Sequence, residues 1–295
     1  MKCKVEAVVT KYWMPNDNYL EIIVDALRGR IDDGDIIAIS EKAVSTAEKN
    51  MVDESGVKPG SLAKFLARYW MRIIWGYILG LICRLKAENI QRIRNYPVIE
   101  GSIHKQVVLR HAGILQALLW GSEGGIDASN MPYSYVSLPL RDPEKIAERI
   151  HQYIVNKLNK SVTVMIVDTD KTYSLGGFHF TPRPNPIKGI HSFGGIIAYI
   201  FGRSLKMKRR STPLAIVGSE IEVDQALEFA EIAHRVRGSG AGLTVWDMSE
   251  IFGVPITQVT WSMLKGIKHK PIVIFRFMVK RESFNAYIGH DYIMN

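Results

Sequence analysis

The segment Gly124-Gly125-Ile126-Asp127-Ala128-Ser129-Asn130 sets one carboxylate, Asp127, shortly before a side-chain amide, Asn130, behind two flexible glycines. Further on, the apolar run Val164-Met165-Ile166-Val167 leads into Asp168, Thr169 and Asp170. Hard oxygen donors at two such places suit Mg²⁺ or Mn²⁺ held between a protein and nucleotide phosphates. A third element, Ser40-Glu41-Lys42, follows the run Ile36-Ile37-Ala38-Ile39. A lysine at a strand end beside a helix N-terminus can meet phosphate as a point charge, with Ser40 next to it. Each element also has a plainer use. Asp, Ser and Asn favour Asx-type turns in Gly-rich loops, Asp168-Thr169 can cap a turn, and Lys42 can open a surface helix. Their chemistry depends on whether the fold brings them together.

The elements that must position them are readable from periodicity. Val5 to Thr10 predicts a strand, Tyr19 to Leu27 a helix, and Ile36 to Ile39 a buried strand entered from the turn Asp32-Asp33-Gly34-Asp35. A helix follows from Ala43 to Lys49. Lys58-Pro59-Gly60, with Ser61 as N-cap, opens a long helical region from Leu62 to about Arg94, ended by Asn95-Tyr96-Pro97. Val98 to Glu100 and Val107 to Arg110 predict two short strands. Asp142-Pro143-Glu144 starts a helix to Asn159, with Pro and acid in its first turn. Val162 to Val167 predicts a strand whose C-terminal end delivers Asp168 and Thr169, where ligands gather in open sheets. Gly176 to Gly195 reads as loop with short strands, Glu222 to Arg237 as a helix closed by Gly238-Ser239-Gly240-Ala241-Gly242, and Ile272 to Phe277 as a late strand. That glycine run follows a helix rather than a strand, so it is no dinucleotide fingerprint. With no repeat and no linker, the expectation is one α+β unit over residues 1–295, its sheets mixed and largely antiparallel, with room for two intimately packed subdomains.

Composition narrows the class. The chain has 295 residues, 47% hydrophobic and 23% charged, enough for a full core. Its first residues lack a signal peptide's apolar core, and its two cysteines, Cys3 and Cys83, are isolated, so a cytoplasmic setting is expected. The apolar run Ile73 to Cys83 has 11 residues between Arg72 and Arg84. A span needs roughly 20, so a buried helix or an oligomer contact is expected and no membrane. Net charge is +9, part of it in Lys206-Met207-Lys208-Arg209-Arg210, which with Arg203 either flanks an anionic acceptor or idles in solvent. No aromatic interleaving, zinc spacing or helix-turn-helix signal accompanies it, so nucleic acid is not expected as a partner. The eight histidines show no metal-binding spacing, and His111, His179 and His191 read as polar packing residues. No Gly-x-Ser-x-Gly elbow is present.

The order of these elements resembles the coenzyme F420-0:L-glutamate ligase (gamma-glutamyl ligase) family. The acidic turn Asp33-Gly34-Asp35 is followed by Lys42-Ala43-Val44-Ser45-Thr46-Ala47-Glu48, close to that family's lysine and Val-Ser-x-Ala-Glu helix. Lys58-Pro59-Gly60-Ser61, the intact Gly-Ile-Asp-x-Ser-Asn from Gly125 to Asn130, Asp168-Thr169 and the helix from Asp224 to Gly238 continue the likeness. The resemblance implies an enzyme that uses GTP and Mg²⁺ or Mn²⁺ to form an amide between L-glutamate and an anionic small-molecule acceptor such as coenzyme F420-0, through an acyl phosphate. It implies Asp127 and Asp168 as metal ligands, Thr169 at a second metal, Ser40, Lys42 and Asn130 as nucleotide contacts, and a homodimer. No catalytic side chain is implied. The chain departs from the pattern at Asp170-Lys171-Thr172-Tyr173-Ser174-Leu175-Gly176-Gly177 and at Leu119-Trp120-Gly121-Ser122-Glu123-Gly124, and it is unusually apolar from Trp70 to Arg94. These departures bear on the acceptor and leave a second possibility, a nucleotide-binding regulatory or interaction protein of the same fold without turnover.

Overall fold

The computed structural model describes residues 2–121 and 123–278. The chain runs β1 (Lys2–Thr10), α1 (Tyr19–Leu27), β2 (Ile36–Ser40), α2 (Glu41–Ala47), β3 (Met51–Asp53), α3 (Ser61–Ile82), α4 (Ala87–Arg94), α5 (Val98–His111) and β4 (Tyr135–Ser137). It continues with α6 (Pro143–Leu158), β5 (Thr163–Leu175), β6 (Phe178–Thr181), β7 (His191–Ser192), α7 (Ile196–Ser204), β8 (Lys208–Val217), α8 (Val223–Arg237), α9 (Val245–Phe252) and β9 (His269–Met278), with shorter helical turns between.

Seven strands form one sheet in the order β1-β9-β2-β5-β6-β7, with β8 pairing the other edge of β5. Only β2–β5 and β6–β7 are parallel, so the α+β expectation holds. The central strands are covered on both faces, which is why β2 reads as an unbroken apolar run. On one face Ile37, Ile39, Val164 and Ile166 meet Ile23 and Leu27 of α1 and Ile146, Ile150 and Ile154 of α6. On the other, Ala38, Met165, Val273 and Phe275 lie under Ala230 and Ala233 of α8. Truncating a fully buried residue such as Ile150 to Ala would cost roughly 2–5 kcal/mol. Asn18 and Asp142 start α1 and α6 by accepting from the backbone N–H of Glu21 and Lys145.

A helical layer, α3 to α5 with α7, packs beside the sheet around Met71, Trp75, Tyr96 and Tyr199. Within α3, Leu66–Leu79 winds in wide π turns, and the N–H of Gly80 reaches back to Trp75 O.

Four expectations change here. The two strands placed at 98–100 and 107–110 are one helix, α5. Its Gly101 lies against the Tyr96 ring and its Lys105 is fully buried, so tertiary packing overrides the β-branched composition. Gly60, rather than Ser61, is the N-cap of α3. The run Ile73 to Cys83 is not a buried helix: it ends a 22-residue helix, Ser61–Ile82, long and apolar enough to cross a membrane by length and composition, only a third of whose apolar window is buried. Finally, Asp168 and Thr169 do not end a strand, because β5 continues to Leu175.

Candidate functional site

The site is made by an interruption in the sheet. β5 pairs β2 through Val167 and β6 from Tyr173, so residues 168–172 face no strand on that edge. Along its other edge, the register with β8 slips between Asp168 and Lys171. The bulge turns Asp168, Thr169, Asp170 and Lys171 into a cavity of about 570 Å³. Glu41 and Lys42, from the first turn of α2, and Asp127 and Ser129, from the loop before β4, line the same cavity.

A smaller cavity of about 130 Å³ adjoins it and shares Lys42, Asp127, Ser129, Thr169 and His234 as lining residues. Thus Lys42, Asp127 and Thr169 stand where the two cavities meet, and Asp168 lines the larger one. Asn130 lines only the smaller cavity, and Ser40 lines neither.

Lys42 donates to Asp127 Oδ2, to Ser129 O at 3.0 Å and to Ser129 Oγ at 2.9 Å. Asp127 Oδ1 accepts from Ser129 N at 2.7 Å, closing the Asx turn expected of this segment. Asn130 serves as a brace. Its Nδ2 donates to Gly242 O at 2.8 Å and its Oδ1 accepts from Ala241 N at 2.6 Å, holding the glycine loop after α8. Gly240 approaches so closely that a Cβ there would lie 2.5 Å from Asn130 Oδ1.

Composition alone did not reveal the residue that organises the other wall. Arg183 is 2% exposed and donates from Nε to Asp168 Oδ2 at 2.6 Å, from Nη2 to Glu41 and from Nη1 to Gly124 O at 3.1 Å. Its flanking prolines, Pro182 and Pro184, fix the local backbone and were the available signal. Asp168 Oδ1 accepts from Thr169 N at 2.6 Å. Burial pushes the Glu41 carboxyl up to about 7, against the lowering effect of Arg183.

Two further groups were not foreseen. In the larger cavity, Glu123 binds both Lys105 and His104, and His104 also meets Glu54 at 2.8 Å. Burial alone would lower His104, but the two carboxylates raise it to about 10; burial would raise Glu123, but Lys105 and His104 bring it to about 2. His104 is therefore a fixed cation rather than a base. In the smaller cavity, Arg237 finds no partner among the described residues for Nε or Nη1, although both atoms are buried. Burial lowers its pKa to about 10. Lys268 and Lys270 line the same space.

The Lys206-to-Arg210 cluster lines neither cavity. It starts β8: Lys208 pairs with Glu228, and buried Arg210 bonds Asp224 at 2.7 Å and Ser174 at 2.8 Å. His179 packs as expected, 2.9 Å from Ser174 Oγ.

Among the described residues, the one group of three acids within 4.8 Å of one another is Glu88, Asp247 and Glu250, and Arg92 already pairs with all three. In the larger cavity the donors include two carboxylates, Asp127 and Asp168, each oriented by one cation and one backbone N–H, with lone pairs left over. Mg²⁺ keeps several waters and typically takes one or two protein carboxylates plus phosphates, so this donor set fits it.

A family described as F420-0:Gamma-glutamyl ligase matches residues 7–216. The chain is 35% identical over 282 residues to the uncharacterized protein MJ1361 of Methanocaldococcus jannaschii, covering 91% of this chain and 94% of that one. It is 26% identical over 155 residues to a coenzyme F420:L-glutamate ligase of Methanopyrus kandleri, covering 52% of this chain and 54% of that one. It is 28% identical over 195 residues to a coenzyme F420:L-glutamate ligase of Archaeoglobus fulgidus, covering 65% and 69%.

Proposed function

This chain belongs to the F420-0:gamma-glutamyl ligase family, and from that premise we propose that it is a ligase forming an amide between L-glutamate, or a related amino acid, and the carboxylate of a small acceptor such as F420-0. The observation that carries the reading is the junction of Lys42, Asp127 and Thr169 shared by two cavities of unlike character. The smaller one is basic, with Arg237, Lys268 and Lys270, and suits the phosphates of GTP. The larger, within the roughly 300–1,000 Å³ typical of ligand sites, carries Tyr96, Trp120, Tyr199 and Trp246 and suits an acceptor with a flat apolar body.

In this reading the acceptor carboxylate attacks the γ-phosphorus of GTP, GDP leaves, and the amine of glutamate then displaces phosphate from the acyl phosphate. Both partners of the first step are anions. Lys42, released from Asp127, turns its ammonium to a phosphate oxygen, and the orphan donors of Arg237 gain acceptors on arrival of the nucleotide. Arg183 keeps Asp168 oriented while the charge around it changes, and Asn130 holds the glycine loop against the nucleotide. A Mg²⁺ or Mn²⁺ held by Asp127, Asp168 and Thr169 would supply neutralisation of charge on the transferred group.

The test is incubation of the purified chain with GTP, Mn²⁺, L-glutamate and F420-0, following GDP and the glutamyl product by mass spectrometry. Lys42→Ala should raise the GTP dissociation constant at least several-fold, since a charged phosphate contact contributes roughly 1.5–3 kcal/mol. GTP binding without consumption, across a panel of acids, would instead favour a nucleotide-binding protein without turnover.

A further inference from the structure

We infer that the outer face of α3 docks on an anionic lipid bilayer surface. Phe65, Tyr69, Ile73, Tyr77 and Leu81 recur every four residues along this helix, and each is about half exposed. The wide turns of Leu66–Leu79 keep residues four and five apart on one side, so these side chains form a continuous apolar stripe. The stripe extends onto α7, whose Phe201 and neighbouring Leu205 are also exposed, because Arg203 Nε donates to Cys83 O at 3.0 Å and ties the two helices together. An apolar surface of this length marks an interaction site.

Charge identifies the occupant. From Ser61 to Lys86 there is no Asp or Glu, and none from Pro182 to Arg210. Lys64, Arg68, Arg84, Lys86 and Lys206 are exposed and make no ion pair with any described residue. An apolar stripe whose own helix carries cations and no acid, with tyrosines along it, is the pattern of a helix lying in the interface of an anionic membrane. A second copy of the chain is disfavoured, since an isologous contact would set the unpaired cations of this face against their own copies. A transmembrane span is disfavoured as well. The inner face of α3 is committed to the protein, with Trp70 and Trp75 each donating to Leu118 O at 2.8 Å and Met71 lining the larger cavity. The inference stands independently of the ligase reading.

The experiment is flotation of the full chain with vesicles of phosphatidylcholine alone or with one third phosphatidylglycerol, alongside analytical ultracentrifugation. Binding to the anionic vesicles at 0.1 M salt should exceed that to the neutral ones at least tenfold and fall several-fold at 1 M salt, where the screening length shrinks from about 10 to about 3 Å. Ile73→Asp with Tyr77→Asp should abolish it. Lys64→Glu with Arg68→Glu, which leaves every apolar residue in place, should weaken it at least fivefold with an unchanged circular-dichroism spectrum. Failure to bind anionic vesicles, or equal binding to neutral ones, overturns the inference. So does a dimer that Ile73→Asp with Tyr77→Asp dissociates while vesicles are ignored, which would assign the face to a second copy.

Discussion

Replacing Arg183 by methionine keeps the length of the stem and removes the charge that holds two carboxylates. In the native chain Glu41 is 3% exposed, Arg183 2%, and the Asp168 side chain 14%, so water cannot take over the guanidinium's role. Breaking a buried pair from one side costs roughly 3–5 kcal/mol. At about 2–4 °C per kcal/mol for a chain of this size, the midpoint of thermal unfolding should drop by roughly 6–20 °C. The loss should depend on pH in a defined sense. Burial already holds Glu41 up at about 7 with Arg183 pulling it down, so the variant raises that carboxyl further above its unfolded value. Raised acids cost stability when ionised, so the deficit is full above the folded pKa and shrinks as pH falls through it. Scanning calorimetry of both proteins at pH 8 and pH 5 reads this directly, the gap being larger at pH 8. Arg183→Lys should fall between them, because one ammonium cannot reach Glu41, Asp168 and Gly124 O from a single fork. A variant within about 2 °C of wild type at pH 8, or a deficit that ignores pH, would refute the claim that Arg183 holds this wall together.

Three other outcomes follow from the same geometry. Glu123→Gln should cost roughly 3–5 kcal/mol in urea unfolding, because it leaves Lys105 and His104 without their shared carboxylate. In wild type, the Glu123 contribution is present above its ordinary value of 4.5 and is lost toward pH 2, while that of His104 is full below 6.5 and is lost as pH climbs toward 10; a midpoint that stays flat from pH 6.5 to 10 would contradict the ion-pair assignment. Arg237→Met should leave the ligand-free midpoint unchanged or higher, since it removes an unpartnered buried cation, yet weaken GTP binding at least fivefold in calorimetric titration; equal affinity would remove the smaller cavity as the phosphate site. Gly125→Ala should destabilise by more than the roughly 1–2 kcal/mol of a left-handed residue, because φ is +90° and the new Cβ would lie 2.7 Å from Arg183 Cζ; a midpoint equal to wild type would show that the loop is not pressed on Arg183.

The residues easiest to read were those whose neighbours in sequence are also their neighbours in space. Asp127, Ser129 and Asn130 form a local turn, and Tyr19–Leu27 is a helix at the predicted bounds because its apolar spacing and Asn18 cap are contained in ten residues. What escaped was long-range. Arg183 meets Glu41 across 142 positions, and Lys105 looks like a surface residue until Glu123 arrives 18 residues later. The strand carrying Asp168 ran past its apolar stretch because polar residues there find partners on β8, as Thr172 does with Thr212 at 2.9 Å. Composition stops signalling a strand where ladder and side-chain hydrogen bonds replace apolar burial.

The position of β9 has a consequence for how the molecule is made. This strand lies between β1 and β2 and pairs with both, so an interior strand of the sheet is supplied by the last described segment of the chain. During synthesis, at roughly 5–20 residues per second, β1 and β2 wait with unpaired edges while more than two hundred residues are added between them and their common neighbour. Lys42 lies two residues beyond β2, so its corner of the molecule cannot be finished until β9 has been made.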